Sequence, residues 1–222
     1  MRNKTLELVY ILDESGSMDH LTDDTIGSFN SNLSKHKEED FKALVTTVLF
    51  NTEFKTVHDR LLVKDVQPLT RKEYCASGCT ALYDAVGMTI RHIEEIHRYI
   101  RPEDIPDRVL FVIITDGLEN SSSEFSGDQV REMVKNKKEA GWDFLFIGAG
   151  IDAPVAAEDI GISRGASATI RRCAADISKG MRFAREVSCM DISPAREYMA
   201  FEKMAEEARK KILEDDGNKL PF

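Results

Sequence analysis

A chain of 222 residues with 42% apolar and 31% charged positions, but only 6 prolines and 13 glycines, can bury a sizeable core and lacks the composition of disorder. At 25.0 kDa it fits one large α/β domain, or one domain with an appendage. Thirty basic against 39 acidic residues leave a formal charge of −9, a mean field that repels a phosphate backbone, so nucleic acid is not expected as a partner. The cysteines, Cys75, Cys79, Cys173 and Cys189, form no CxxC pair, and reduced thiols are expected in place of a zinc site or a disulfide framework. Behind the basic start Met1-Arg2-Asn3-Lys4, the apolar run Leu8 to Leu12 is flanked by Glu7 and Asp13 and is too short for a signal core. No stretch approaches the ~20 apolar residues of a membrane span. The expectation is a cytoplasmic protein with no membrane partner.

In chain order, Leu6 to Leu12, Val109 to Thr115 and Phe144 to Gly148 are near-continuous apolar runs, as strands covered on both faces of a parallel sheet must be. Ala43 to Phe50 and Phe54 to Leu62 are β-rich runs joined by Asn51-Thr52-Glu53, a hairpin and therefore antiparallel. Leu82, Ala85, Val86, Ile90, Ile93 and Ile96 recur at helical spacing, with Gly87 predicted to pack closely on the sheet. Val130, Met133 and Val134 do the same behind a capping box of Ser126 and Gln129, and Gly141 closes that helix. Ala168 to Ile170 reads as a last short strand and Ala174 to Val187 as a helix. A further helix opens at Ser193-Pro194 and carries the stripe Tyr198, Phe201, Met204, Ala208 and Ile212. Asp215 to Phe222 is expected to fray. The fold class that results is a three-layer α/β/α sandwich around a doubly wound, mostly parallel sheet with one antiparallel edge strand. The expected division is a domain over 1–187 and a helical extension over 188–222.

Ligands of such sheets bind outside the carboxyl ends of the strands. There the first strand runs into Asp13-Glu14-Ser15-Gly16-Ser17, the strand Val109 to Thr115 runs into Asp116-Gly117, and the loop Ser77-Gly78-Cys79-Thr80 opens the helix between them. These loops gather Asp13, Ser15, Ser17, Thr80 and Asp116. An all-oxygen set with few carboxylates suits a hard divalent cation, Mg²⁺ before Ca²⁺. Asp84 is a candidate for the surroundings of that site or for the helix dipole, and Glu119 and Asn120 are candidates for its rim.

The D-x-S-x-S at the first strand end, the threonine opening a middle helix and the T-D-G closing a later strand resemble the von Willebrand factor A domain and its metal-ion-dependent adhesion site. The resemblance covers Lys4 to Val187, and its length is more similar to small intracellular bacterial members than to animal adhesion modules. It implies a metal held by Asp13, Ser15, Ser17, Thr80 and Asp116, with Mg²⁺ the first expectation and Mn²⁺ or Ca²⁺ as alternatives. It implies further that an Asp or Glu of a partner protein completes the coordination. The function so implied is a non-enzymatic adaptor or scaffold subunit, with partners including AAA+ ATPase complexes and stress-response systems. A carboxyl-terminal helix that slides along the sheet is also implied, and either 174–187 or 194–213 is its candidate.

Two alternatives stand beside it: a Mg²⁺-dependent phosphohydrolase, and a structural domain with a vestigial metal site. A phosphatase of the haloacid dehalogenase kind needs a second carboxylate two residues after its aspartate, where this chain has Ser15. Asp13, Ser17 and His20 contain the residue types of a hydrolytic triad, but no GxSxG elbow exists and His20 is expected in a flexible stretch. His92 and His97, five residues apart, lie roughly 140° out of register on a helix and do not chelate one ion; a solvated polar face is expected. Gly148-Ala149-Gly150 fits a dinucleotide fingerprint only loosely, and Arg171 and Arg172 stand where an acidic ribose partner belongs, so a strand-end turn is expected.

Overall fold

The computed structural model describes residues 4–190 and 198–214. Its strands are β1 (Thr5–Asp13), β2 (Lys42–Phe50), β3 (Phe54–Leu62), β4 (Arg108–Thr115), β5 (Trp142–Ala149) and β6 (Ser167–Ile170). They form a six-stranded sheet in the order β3-β2-β1-β4-β5-β6, with β2 and β3 antiparallel and every other neighbouring pair parallel. The helices are α1 (Thr22–His36), α2 (Leu82–Tyr99), α3 (Gly127–Glu139), α4 (Ala153–Asp159), α5 (Ala174–Cys189) and α6 (Tyr198–Arg209). This is the expected mostly parallel sheet with its antiparallel edge strand, flanked by helices.

The connections follow from chirality. A parallel crossover is right-handed, so stepping outward from β1 to β2 puts α1 on one face, and stepping the other way through β4, β5 and β6 puts α2, α3 and α4 on the opposite face. The winding direction reverses at β1. α5 returns beyond β6 to pack beside α1. Asn32 of α1 makes this contact specific, because its Nδ2 donates both to the Tyr10 hydroxyl of β1 and to the Met181 carbonyl of α5 at 3.1 Å. Of the two helices that the sequence left open, α5 is therefore the one packed near the first strand. α6 sits against the Arg164–Ala166 turn and α5, where Arg209 donates to the Arg164 and Ser167 carbonyls. Phe201, Ala208 and Ile212 of its expected stripe are buried, whereas Met204 is half-buried. The Ser193-Pro194 start and the 215–222 tail lie outside the described residues.

β1, β4 and β5 are buried nearly end to end, as their apolar runs require. One polar residue inside β1 is fully paired: Glu7 accepts from Arg60 Nε and lies 2.5 Å from His97 Nε2. His97 is thus half-buried against Glu7 and the Trp142 ring, not part of a solvated face. His92 does lie in solvent, paired with Asp59. The capping box at Ser126 and Gln129 forms as expected, and Gly141 closes α3 at φ +88°. Gly87 is tight for a different reason from the expected one: a Cβ there would stand 2.7 Å from the Phe125 ring, so it admits a loop and not the sheet. α1 and α4 are elements that the apolar pattern did not show, and His20 lies in a 3₁₀ turn, Gly16–Leu21.

Candidate metal centre

The reversal of winding at β1 opens a crevice beyond the carboxyl ends of β1 and β4, which are direct neighbours. Asp13 is the last residue of β1, and Asp116 follows the last residue of β4; both are essentially inaccessible to solvent. Backbone hydrogen bonds tie the loops together: Gly16 N to Gly78 O at 3.1 Å, Ser77 N to Glu14 O at 2.9 Å, and Asn120 N to Thr80 O at 3.1 Å. The left-handed glycine in this region is Gly78, at φ +70°, where a Cβ would stand 2.7 Å from Thr52 Oγ1.

Inside this frame Asp13, Ser15, Ser17 and Asp116 are linked to one another. Ser17 Oγ donates to Asp116 Oδ1 at 2.6 Å and lies 3.1 Å from Ser15 Oγ. Asp13 is braced twice, because its Oδ1 accepts from the Ser15 amide at 2.7 Å and its Oδ2 from Thr115 Oγ1 at 2.5 Å. Thr80 faces the other side of the Asp116 loop: a Cβ on Gly117 would be 2.9 Å from Thr80 Oγ1, and glycine leaves that approach open. The Thr80 amide is fixed by Asn120 Oδ1 at 2.9 Å.

The electrostatics are those of a site short of positive charge. Burial pushes the Asp13 carboxyl up from its usual range, the hydrogen bonds from Thr115 and Ser15 oppose this, and the nearby charge of Asp116 adds to it. Asp116 Oδ2 is buried without a hydrogen bond, and its nearest cation is Arg172, whose Nε lies 3.4 Å away. Two buried carboxylates, three hydroxyls and one carboxylate oxygen with no donor fit a hard divalent cation held by few charges. Among the described residues no group of three or more His, Cys, Asp or Glu side chains could hold a metal, and the four cysteines are free.

Of the three residues expected at or near the site, Glu119 and Asp84 are occupied elsewhere, while Asn120 borders Thr80. Glu119 does not face a rim: its Oε2 accepts from the Tyr83 amide at the start of α2, and its Oε1 from the Ser121 and Ser122 amides. Asn120 closes on Thr80. Asp84 accepts from the Ser123, Glu124 and Phe125 amides and so holds the loop between β4 and α3. The residues that the sequence reading missed are braces. Thr115 lies within the T-D-G motif without having been given a role, Tyr74 donates its hydroxyl to the Asp13 carbonyl, and Glu14 pairs with Lys55 of the hairpin at 2.9 Å. Gly150, at φ +72°, begins the expected strand-end turn, while Gly148 lies within β5.

No family model and no curated protein matches the sequence. Solved structures do match, at low identity. A structure of proximal thread matrix protein 1 from the mussel byssus, with a zinc-occupied metal-ion-dependent adhesion site, superposes at a TM-score of 0.58 with 14% identity over 84% of this chain and 46% of that one. The fold is von Willebrand factor A-like. A von Willebrand factor type A structure from Catenulispora acidiphila agrees at a TM-score of 0.56, with 17% identity over 84% of this chain and 43% of that one. The pilus adhesin SpaC from Lactobacillus rhamnosus GG, in its open conformation, agrees at 0.63 with 10% identity over 85% of this chain and 30% of that one. The chain spans less than half the length of each of these structures.

Proposed function

We propose that this chain is a Mg²⁺-dependent protein-binding module, an adaptor or scaffold subunit that docks an Asp or Glu of a partner through a metal held by Asp13, Ser15, Ser17, Thr80 and Asp116. One observation carries the reading: the hydroxyls of Ser15 and Ser17 and the carboxylates of Asp13 and Asp116 meet from two loops at the switch point of a von Willebrand factor A-like sheet, with Asp116 Oδ2 buried and undonated, and Thr80 from a third loop abuts Gly117 beside them. When bound, the ion, Mg²⁺ or in its place Mn²⁺ or Ca²⁺, supplies an electrophilic position that a partner's carboxylate completes.

The chain's own residues do the positioning. Thr115 and the Ser15 amide fix both oxygens of Asp13, while Ser17 turns Asp116 Oδ1 toward Ser15. Because the crevice is shielded from water, the attraction between a bound divalent ion and an added oxyanion is stronger there than in bulk solvent. The zinc-occupied motif of the byssus protein supports a metal at the equivalent place in this fold. The reading extends to a cytoplasmic, bacterial setting, to partners in AAA+ ATPase or stress-response assemblies as the family resemblance implies, and to a function without catalysis.

Chemical denaturation with Mg²⁺ or EDTA tests the metal. Mg²⁺ at about 100 times its dissociation constant stabilises the fold by roughly 2.7 kcal/mol, and Asp13→Ala abolishes that increment. An increment of equal size in Asp13→Ala would show that the ion binds elsewhere.

A further inference from the structure

Arg172 belongs to none of the ligand motifs, yet its side chain is built into the metal site. It follows β6 by two residues, and its Nη2 donates to the backbone carbonyl of Asp116, while its Nε donates to the Ala149 carbonyl at 3.3 Å and lies 3.4 Å from Asp116 Oδ2. The path of its stem is cut into the fold: at Gly150, φ +72°, a Cβ would stand 2.8 Å from Arg172 Cγ and 3.0 Å from its Cδ. Its guanidinium therefore reaches the buried carboxylate through a notch that only glycine leaves open. The side chain keeps 40% exposure, so the cation is shared between the buried site and the outer surface.

We infer that Arg172 is a specificity-determining residue of the proposed site, an internal cation that weakens the grip on the metal and strengthens the demand for an acidic ligand. The inference rests on the metal reading given above, and the argument is one of charge. Asp13 and Asp116 with Arg172 leave one uncompensated negative charge in the crevice. A divalent ion then leaves one uncompensated positive charge, and a single carboxylate neutralises it. Without the guanidinium, the two aspartates alone neutralise the ion, and an incoming carboxylate meets a site with no net attraction for it. Asp116 is the pivot, because the same Oδ2 that Arg172 approaches is the oxygen free to turn to the metal.

The test measures Mn²⁺ affinity from the electron paramagnetic resonance signal of free Mn²⁺, and carboxylate access from the Mn²⁺-induced relaxation of acetate methyl protons. It compares the wild type with Arg172→Gln, Arg172→Lys and Asp13→Ala, each first checked for folding by circular dichroism. Arg172→Gln is expected to bind Mn²⁺ about tenfold more tightly, by removal of one nearby positive charge, and to relax acetate less at equal Mn²⁺ occupancy. Arg172→Lys keeps the charge and stays close to the wild type in both readouts. Mn²⁺ binding that is unchanged or weaker in Arg172→Gln, or tightened equally in Arg172→Lys, overturns the inference and leaves the metal reading standing. Binding that survives Asp13→Ala, or that is absent from both the wild type and Arg172→Gln, overturns the metal reading and the inference with it.

Discussion

The hydroxyl of Tyr74 donates to the backbone carbonyl of Asp13 at 2.5 Å, joining the loop that precedes α2 to the point where β1 gives way to the candidate site. Tyr74 is buried, and burial beside the Asp13 charge pushes its hydroxyl well above the ordinary tyrosine range, so it stays a donor at every physiological pH. Tyr74→Phe keeps the packed ring and removes only the donor. It is expected to cost about 1 to 2 kcal/mol of stability in urea denaturation with an unchanged m-value, the cost of one buried carbonyl losing its partner. A variant as stable as the wild type would show that water replaces the hydroxyl.

A pH prediction follows from His36, which is buried between α1 and α5, with Nε2 3.3 Å from Ser188 Oγ. Burial, with the Arg185 charge beside it, lowers its pKa to about 4 from the ordinary 6.5. The folded state therefore holds fewer protons than the unfolded state between these values, and stability falls as pH falls through that window. This residue contributes a loss of about 1.4 kcal/mol per pH unit below 6.5. Denaturation at pH 7 and pH 5 should show His36→Gln gaining roughly 2 kcal/mol on the wild type between the two conditions. A constant difference between the two proteins would mean that His36 titrates normally.

At the opposite end of the sheet Arg108 holds the end of α5. Its Nε donates to Asp143 Oδ2 at 2.7 Å, and its Nη1 to the Val187, Ser188 and Met190 carbonyls at 3.1 to 3.3 Å. Arg108→Met leaves Asp143 without this partner and the end of α5 without a cap, so a loss of about 3 to 5 kcal/mol is expected. Hydrogen exchange should show the loss first at residues 185–189. Uniform loss of protection across the sheet would show that α5 has no separate opening.

Turnover is expected to be absent. Ser15 stands where a phosphatase would need its second carboxylate, and Ser15 and Ser17 share their hydroxyls with each other and with Asp116, with no histidine bonded to either. Hydrolysis of p-nitrophenyl phosphate, nucleotides and simple esters with Mg²⁺ or Mn²⁺ should stay at background. Activity that is abolished by Asp13→Asn and persists through extensive purification would replace the binding reading with an enzymatic one.

The strands were legible because a buried parallel sheet writes itself as unbroken apolar runs, and α2 and α3 because each carries a regular stripe or a capping box. α1 was not legible, because its buried face mixes Phe29 and Leu33 with the polar Thr25, Asn32 and His36, the last two of which pack against α5. The same division runs through the candidate site. Asp13, Ser15, Ser17, Thr80 and Asp116 could be named from residue type and position at strand ends. The braces Tyr74 and Thr115, and the cation Arg172, depend on which strand neighbours which, and no local pattern carries that. Glu119 was misread because nearness in sequence to Asp116 does not say that the chain folds back onto the start of α2.

The bonds that assemble the site join distant parts of the chain: Thr115 to Asp13 across 102 residues and Ser17 to Asp116 across 99. A chain emerging from the ribosome exposes D-x-S-x-S long before its partners exist, and the parallel pairing of β1 with β4 that brings them together is a non-local, slow event. A nascent chain that has not yet reached Asp116 lacks a ligand of the proposed site, so a metal bound there assists only the late steps of folding. If the proposed site holds Mg²⁺, refolding experiments should show the ion slowing unfolding far more than it speeds folding, the signature of a lock on the finished fold.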